Sequence, residues 1–270
     1  MDGTLLNRSG EVHPADRDAI GRLQKQGVRV SIVTGRLYSG TRAIARSVGI
    51  DGPVGCVDGS HIVCVKGDRH LVAHAIDETG ADYLRRWLAE LGPVTYLLAH
   101  DSVMHDEAGK VFLRYLTLWS HRVHKVNNVL GREHFYGDSA PMAVVAIGRK
   151  NQIIPARARI EGEAADHLQG AAFSLQPTGL RGLWGLVVRA AGPSKATAFE
   201  WIGRHYGARR EDTIAVGDWW NDVPMLRAAG RSFAMGQAPA GVAAAATERL
   251  EADNRTGGGI AEAARRAGLL

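Results

Sequence analysis

Val28-Arg29-Val30-Ser31-Ile32-Val33-Thr34-Gly35-Arg36 is a short β-branched run that ends in a small, polar turn. Before it, Ala15 to Gln26 place Ile20 and Leu23 on one helical face, and Gly27 stops that helix. After it, Leu37 to Val48 reads as a further helix. The order strand, loop, helix is the βα unit of a doubly wound sheet, whose ligands gather at the carboxyl ends of the strands. Outward from this unit, Val54 to Val57 reads as the next strand, and Ser60 to Val65 pairs with His70 to Ile76 as a hairpin around Lys66-Gly67-Asp68. A helix follows from Glu78 to Leu91, with Leu84, Trp87, Leu88 and Leu91 as its buried stripe. The expected fold class is α/β, a doubly wound, Rossmann-like parallel sheet.

Between Glu78 and Trp184 the alternation breaks. Val94 to Leu98, Met142 to Ile147 and Ala172 to Gln176 read as strands, with a helical stretch from Ile153 to Ala164. Regular βα order is expected to resume at Trp184 to Arg189. The division that follows is a core of residues 1–77 and 186–270 with an inserted α+β domain over residues 78–185. The Ala-rich Ala238 to Ala246 reads as helix rather than linker.

The 33 Lys and Arg against 28 Asp and Glu give a net charge of +5 with no run of five or more like charges, which reads as a solvated surface that favours anionic substrates and not as a nucleic-acid-binding face. Cys56 and Cys64, both in apolar runs, read as reduced, buried thiols. No apolar stretch approaches membrane-spanning length and no basic-then-apolar leader opens the chain, so the expectation is a cytoplasmic protein with no membrane partner.

The most specific chemical signal is Val216-Gly217-Asp218-Trp219-Trp220-Asn221-Asp222-Val223-Pro224-Met225-Leu226. Thr213 to Val216 is an apolar strand and Gly217 permits a sharp turn, so Asp218 and Asp222 emerge together at a strand's carboxyl end. Two carboxylates so placed raise each other's pKa unless a cation lies between them, and hard oxygen donors with room for water suit Mg²⁺. The bland reading is a solvated loop with an N-capping Asp. The Thr34 hydroxyl with the amides of Gly35 and Arg36 forms an anion cradle or, equally, a helix N-cap. Lys195, in Gly192-Pro193-Ser194-Lys195-Ala196, opens a helix after a strand and can neutralise a phosphoryl group as a point charge, although a lone Lys there is more often surface. Asp2-Gly3-Thr4 supplies another carboxylate ahead of a turn.

Taken in this order, the four segments resemble the haloacid dehalogenase superfamily, and the long insertion resembles its Cof-like sugar-phosphatase branch with a large α/β cap. Val57-Asp58-Gly59-Ser60 looks like the family's Asn-Gly-Ala/Ser turn with Asp in place of Asn, and Met235-Gly236-Gln237-Ala238 and Asn254 with Gly258-Gly259-Ile260 are similar to its closing pattern. The resemblance implies a Mg²⁺-dependent phosphomonoester hydrolase acting on a small phosphorylated metabolite through an aspartyl-phosphate. It assigns acid/base chemistry to Asp2, phosphoryl contacts to Thr34, Gly35, Arg36, Lys195 and Asn221, and the metal to Asp2, Asp218 and Asp222, with Asp222 alternatively orienting Lys195. Met1-Asp2-Gly3-Thr4 matches the tail of the family's Asp-x-Asp-Gly-Thr motif, so the attacking Asp is expected immediately before Met1, in a natural chain that begins several residues earlier. The alternatives are a phospho-ligand-binding relative without turnover and a phosphomutase on the same fold. His100, His105, His121 and His124 with Asp101 and Asp106 fit no metal-binding spacing and are expected to line the inserted domain's substrate face in part. Trp219 and Trp220 are expected to be packing residues.

Overall fold

The computed structural model describes residues 1–270, the side chain of Pro177 aside. The chain forms two compact units: Met1–Gly35, Arg42–Leu71 and Ser194–Leu270 make the first, and Arg36–Thr41 with Val72–Pro193 the second.

In the first unit, the strands Ile214–Gly217, Arg231–Ala234 and Glu248–Arg249 lie side by side and parallel, with Ile214 opposite Arg231 and Phe233 opposite Glu248. Ala215 and Ala234 bury against Met225, Leu226 and Val242, and Phe233 and Met235 against Leu250 and Ala263. A second sheet runs Pro53–Cys56, His61–Cys64, Arg69–Ala73, its first two strands antiparallel. Residues 28–33 join that sheet through a parallel bridge between Val33 and Gly55, with the Gly55 N–H donating to the Ile32 carbonyl at 2.8 Å. The helix Pro14–Lys25 buries Ala19, Ile20 and Leu23, and Gln26 closes its end. The core is thus the expected α/β arrangement with helices packed on short parallel strands.

The helix expected over Leu37 to Val48 is helical only over Arg42–Ser47. The reason is local: the Leu37 N–H donates to the Trp119 carbonyl at 3.1 Å, and a Cβ on Gly40 would stand 2.3 Å from that same oxygen. Residues 36–41 therefore pack as part of the second unit instead of winding.

The second unit is a six-stranded sheet in the order Val123–Lys125, Ser102–His105, Val94–Ala99, Ala143–Arg149, Leu183–Ala190, Leu168–Ser174. All its pairings are antiparallel except the edge pair of Ser102–His105 with Val123–Lys125. The helices Glu78–Leu91 and Lys150–Glu163 share one core with this sheet, in which Leu84, Trp87 and Leu88 meet Leu97, Val144, Ala146, Leu186 and Val188. Val144 faces Val188 and Ala146 faces Leu186 across the ladder, so one side of two strands supplies the apolar surface. Each fully buried side chain of Leu or Val size contributes about 1.5–3 kcal/mol. The strand expected to resume the core at Trp184 to Arg189 is the seam of this sheet, bonded on both sides. The second unit accordingly extends to Pro193, beyond the residue 185 expected from periodicity.

Candidate active site

The strand Ile214–Gly217 delivers Asp218 at its carboxyl end. A Cβ on Gly217 would sit 2.6 Å from the Asp222 Cβ, so a glycine is required for the loop to fold back on itself. The folded loop places Asp222 Oδ2 where it accepts the Asp218 N–H at 2.9 Å and the Trp219 N–H at 3.0 Å. Its other oxygen, Oδ1, accepts from Lys195 Nζ at 2.6 Å. Lys195 opens the helix Lys195–His205 behind Ser194, whose hydroxyl accepts the Thr197 N–H at 3.2 Å. Lys195 and Asp222 are only 5% and 4% exposed. Burial opposes charge on both. The Asp222 and Asp58 carboxylates nevertheless hold the lysine above its ordinary pKa, and Lys195 with the loop N–H groups holds Asp222 below its own. The pair stands ionised.

Asp218 has a different environment. Its Oδ1 accepts from the Thr4 hydroxyl at 2.6 Å, and its Oδ2 lies 3.3 Å from Gln237 Nε2, which also donates to the Gly3 carbonyl at 2.6 Å. Gly3 has φ +74°, and a Cβ there would be 2.3 Å from Asp218 Oδ2. Burial raises the Asp218 pKa and the Asp222 charge adds to the rise, against the lowering effect of Thr4. The Met1 nitrogen is buried within electrostatic reach of Lys195, Asp222, Asp2 and Asp218, while the Asp2 side chain is exposed.

A crowded carboxylate of this kind fits a hard cation. Asp218 keeps oxygen lone pairs, and Gly3 and Thr4 of the opening segment lie against it. Asp222 has both oxygens engaged, which suits it to hold Lys195. Among the described residues no group of three or more His, Cys, Asp or Glu forms a metal cage. Oxygen donors of this kind suit a hard divalent ion that keeps several waters.

Thr34 is buried, donates its N–H to the Gly55 carbonyl at 2.8 Å, and accepts the Asp58 N–H on its own carbonyl at 2.9 Å. Asn221 Nδ2 donates to Asp58 Oδ1 at 2.9 Å, and the same oxygen lies 3.8 Å from Lys195 Nζ. A Cβ on Gly35 would stand 3.3 Å from that oxygen. Thr34, Gly35, Lys195 and Asn221 are thus gathered around Asp58. Reading the sequence for site residues passes over Asp58; the only signal was an acid where the family turn carries an amide. Arg36 falls in the second unit, where its guanidinium lies 3.4 Å from the Gly40 carbonyl.

Trp219 and Trp220 are not packing residues: they are 54% and 55% exposed, with the Trp220 ring edge resting where a Cβ on Gly241 would be 2.5 Å away. His105 is a core residue instead of a surface one, its Nδ1 bonded to the Asp106 carbonyl at 2.7 Å. His100 and Asp101 form a left-handed turn whose carboxylate accepts the Ser39 N–H at 2.7 Å.

A family profile described as haloacid dehalogenase-like hydrolase matches residues 1–263. The chain is 26% identical over 253 residues to the 5-amino-6-(5-phospho-D-ribitylamino)uracil phosphatase YitU of Bacillus subtilis, covering 87% of this chain and 84% of that one. It is 23% identical over 241 residues to the HMP-PP phosphatase of Yersinia enterocolitica, covering 88% and 82%. Among solved structures, a haloacid dehalogenase-like hydrolase from Bacteroides thetaiotaomicron superposes with a TM-score of 0.82 at 20% identity over 98% of this chain and 96% of that one. The subclass IIB sugar phosphatase BT4131 superposes with a TM-score of 0.79 at 19% identity over 100% and 97%. At these identities the two structures speak for the fold.

Proposed function

The chain belongs to the haloacid dehalogenase-like hydrolases, and from that membership we propose a Mg²⁺-dependent phosphomonoester hydrolase acting on a small phosphorylated metabolite. The observation that carries this reading is the buried Lys195–Asp222 pair, 2.6 Å apart, with Asp218 in electrostatic reach and Asp58 linking it to Asn221 and the Thr34–Gly35 turn. A buried cation together with a threonine, a glycine turn and a side-chain amide that meet at Asp58 can serve as donors for phosphoryl oxygens. Lys195 and Asn221 neutralise and orient the phosphoryl group, Thr34 and Gly35 supply further hydrogen bonds, and Asp222 holds Lys195 charged and aimed. Asp218 and the Asp2 main chain would hold the Mg²⁺. When bound, the ion offsets the charge of the phosphoryl oxygens.

Asp2 delivers a proton to the leaving alkoxide and then takes one from water. The buried Met1 nitrogen, within electrostatic reach of Lys195, Asp222 and Asp218, supports a role for the opening segment beside the phosphoryl donors. Relatives named as phosphatases of a ribitylaminouracil phosphate and of HMP-PP, and a sugar phosphatase of the same fold, support small phosphorylated metabolites as the substrate class.

The test is phosphate release by the full-length gene product from p-nitrophenyl phosphate, sugar phosphates and heterocycle-bearing phosphates, with Mg²⁺ and with EDTA. Turnover only with Mg²⁺, abolished in Lys195→Met, is the expected result. Phosphorylated ligands that raise the melting temperature without any turnover would make the protein a binding module. Transfer to a sugar acceptor in place of release would make it a mutase.

A further inference from the structure

Asp58 is where the segments assigned to the phosphoryl group converge, and its own chemistry is not explained by holding them together. Its backbone has φ +50° and ψ +33°, a left-handed conformation that Asn and Asp tolerate better than other side chains. Gly59 follows at φ +103°, where a Cβ would be 2.1 Å from the Ser194 carbonyl oxygen, so the turn is wedged against the start of the Lys195 helix. The contacts of Asp58 reach three segments: the N–H to Thr34 and the carboxylate toward Gly35 in one turn, and Oδ1 to Asn221 at 2.9 Å and to Lys195 at 3.8 Å. An asparagine in the same conformation would still accept from Asn221 through its amide oxygen. What the carboxylate adds is a negative charge, 14% exposed, beside a lysine already neutralised by Asp222 at 2.6 Å.

We infer that Asp58 is a positioning residue whose charge weakens the pocket's hold on inorganic phosphate. Before substrate arrives it occupies Asn221 and Lys195 in the anion's stead. After the ester is cleaved it opposes retention of the product anion. The inference rests on the phosphatase reading above. An anion oxygen hydrogen-bonded to Lys195 at ~2.8 Å lies within about 6.6 Å of Asp58 Oδ1, given the 3.8 Å between that oxygen and Nζ. At an effective dielectric near 20, repulsion at that range corresponds to tens-fold in affinity, and about tenfold survives ordinary screening.

The experiment titrates inorganic phosphate into the Mg²⁺-loaded full-length protein by calorimetry at fixed ionic strength, for wild type and Asp58→Asn, and measures phosphate as a product inhibitor in parallel. Asp58→Asn is expected to bind phosphate about tenfold more tightly and to show correspondingly stronger product inhibition. Damage to a merely structural residue would weaken binding instead. If Asp58→Asn does not fold, Asp58→Gly, which suits the positive φ, carries the same readout. Equal or weaker phosphate binding in the folded variant, with wild type hydrolysing esters normally, overturns this inference and leaves the phosphatase reading intact. Wild type that neither hydrolyses esters nor binds phosphate overturns both.

Discussion

Replacing Lys195 by Met removes one member of an ion pair that is nearly out of water. Lys195 Nζ and Asp222 Oδ1 are 2.6 Å apart, with 6% and 5% of their side chains exposed. Methionine fills a similar volume, so little cavity is created, and the loss is electrostatic. Asp222 keeps the Asp218 and Trp219 N–H groups on Oδ2 but has no cation opposite Oδ1. Leaving a buried carboxylate uncompensated costs about 3–5 kcal/mol. The two retained N–H bonds put the expected loss at the lower end, about 3 kcal/mol. At about 2–4 °C per kcal/mol for a chain of this size, the melting temperature should fall by about 6–12 °C. The assay is urea unfolding followed by circular dichroism, with calorimetry alongside, in EDTA so that no metal contributes. The decisive arm is the double variant. Asp222→Asn removes the stranded charge, so Lys195→Met/Asp222→Asn should be more stable than the sum of the singles predicts, with a coupling of at least about 1.5 kcal/mol. A Lys195→Met loss below about 1 kcal/mol, or simple additivity, would show that the pair does not hold this part of the core together.

Two further outcomes can be checked on the same material. Mg²⁺ should raise wild-type stability by about 2.7 kcal/mol at a hundredfold excess over its dissociation constant, and Asp218→Asn should abolish that increment; a persisting increment would place the ion elsewhere. His61 is buried, and burial first and His70 second lower its pKa from 6.5 to about 4. Because the folded value lies below the unfolded one, this stabilisation is fully present above about pH 6.5 and is lost as pH falls toward 4, by about 3 kcal/mol in all. His61→Leu should flatten the urea midpoint over that interval relative to wild type, and an unchanged slope would refute the assignment.

Local signals explain what the sequence made legible. The helix Glu78–Leu91 ends where its chemistry says it should, with the Asp77 carboxylate accepting the Gly80 N–H at its start and Gly92 at φ +63° at its end. Lys195, Asp218 and Asp222 are brought together as their positions at strand and helix ends imply. The strand expected at Trp184 to Arg189 lies in the six-stranded sheet and not in the parallel core, because an apolar run carries no record of whether its partners run parallel or antiparallel; Val144 and Gly170, opposite Val188, decide that from far away in sequence. Helical periodicity over Leu37 to Val48 was overridden by a single approach, Gly40 to the Trp119 carbonyl. Asp58 reads in sequence as a turn former. Only folding brings Thr34, Lys195 and Asn221 to it.

The antiparallel pair Pro53–Cys56 and His61–Cys64 carries a cysteine at each end: Cys56 opposite His61, two residues from Asp58, and Cys64 opposite Pro53. Cys56 has no accessible surface, whereas Cys64 is half-buried with its thiol 3.6 Å from the Asp51 carbonyl. A thiol reagent can reach Cys64 by small excursions of the hairpin but reaches Cys56 only when the ladder beneath the Asp58 turn comes apart. The molecule therefore contains its own stopwatch: the ratio of the two alkylation rates times the opening of the ladder that carries the Asp58 turn, without an added label.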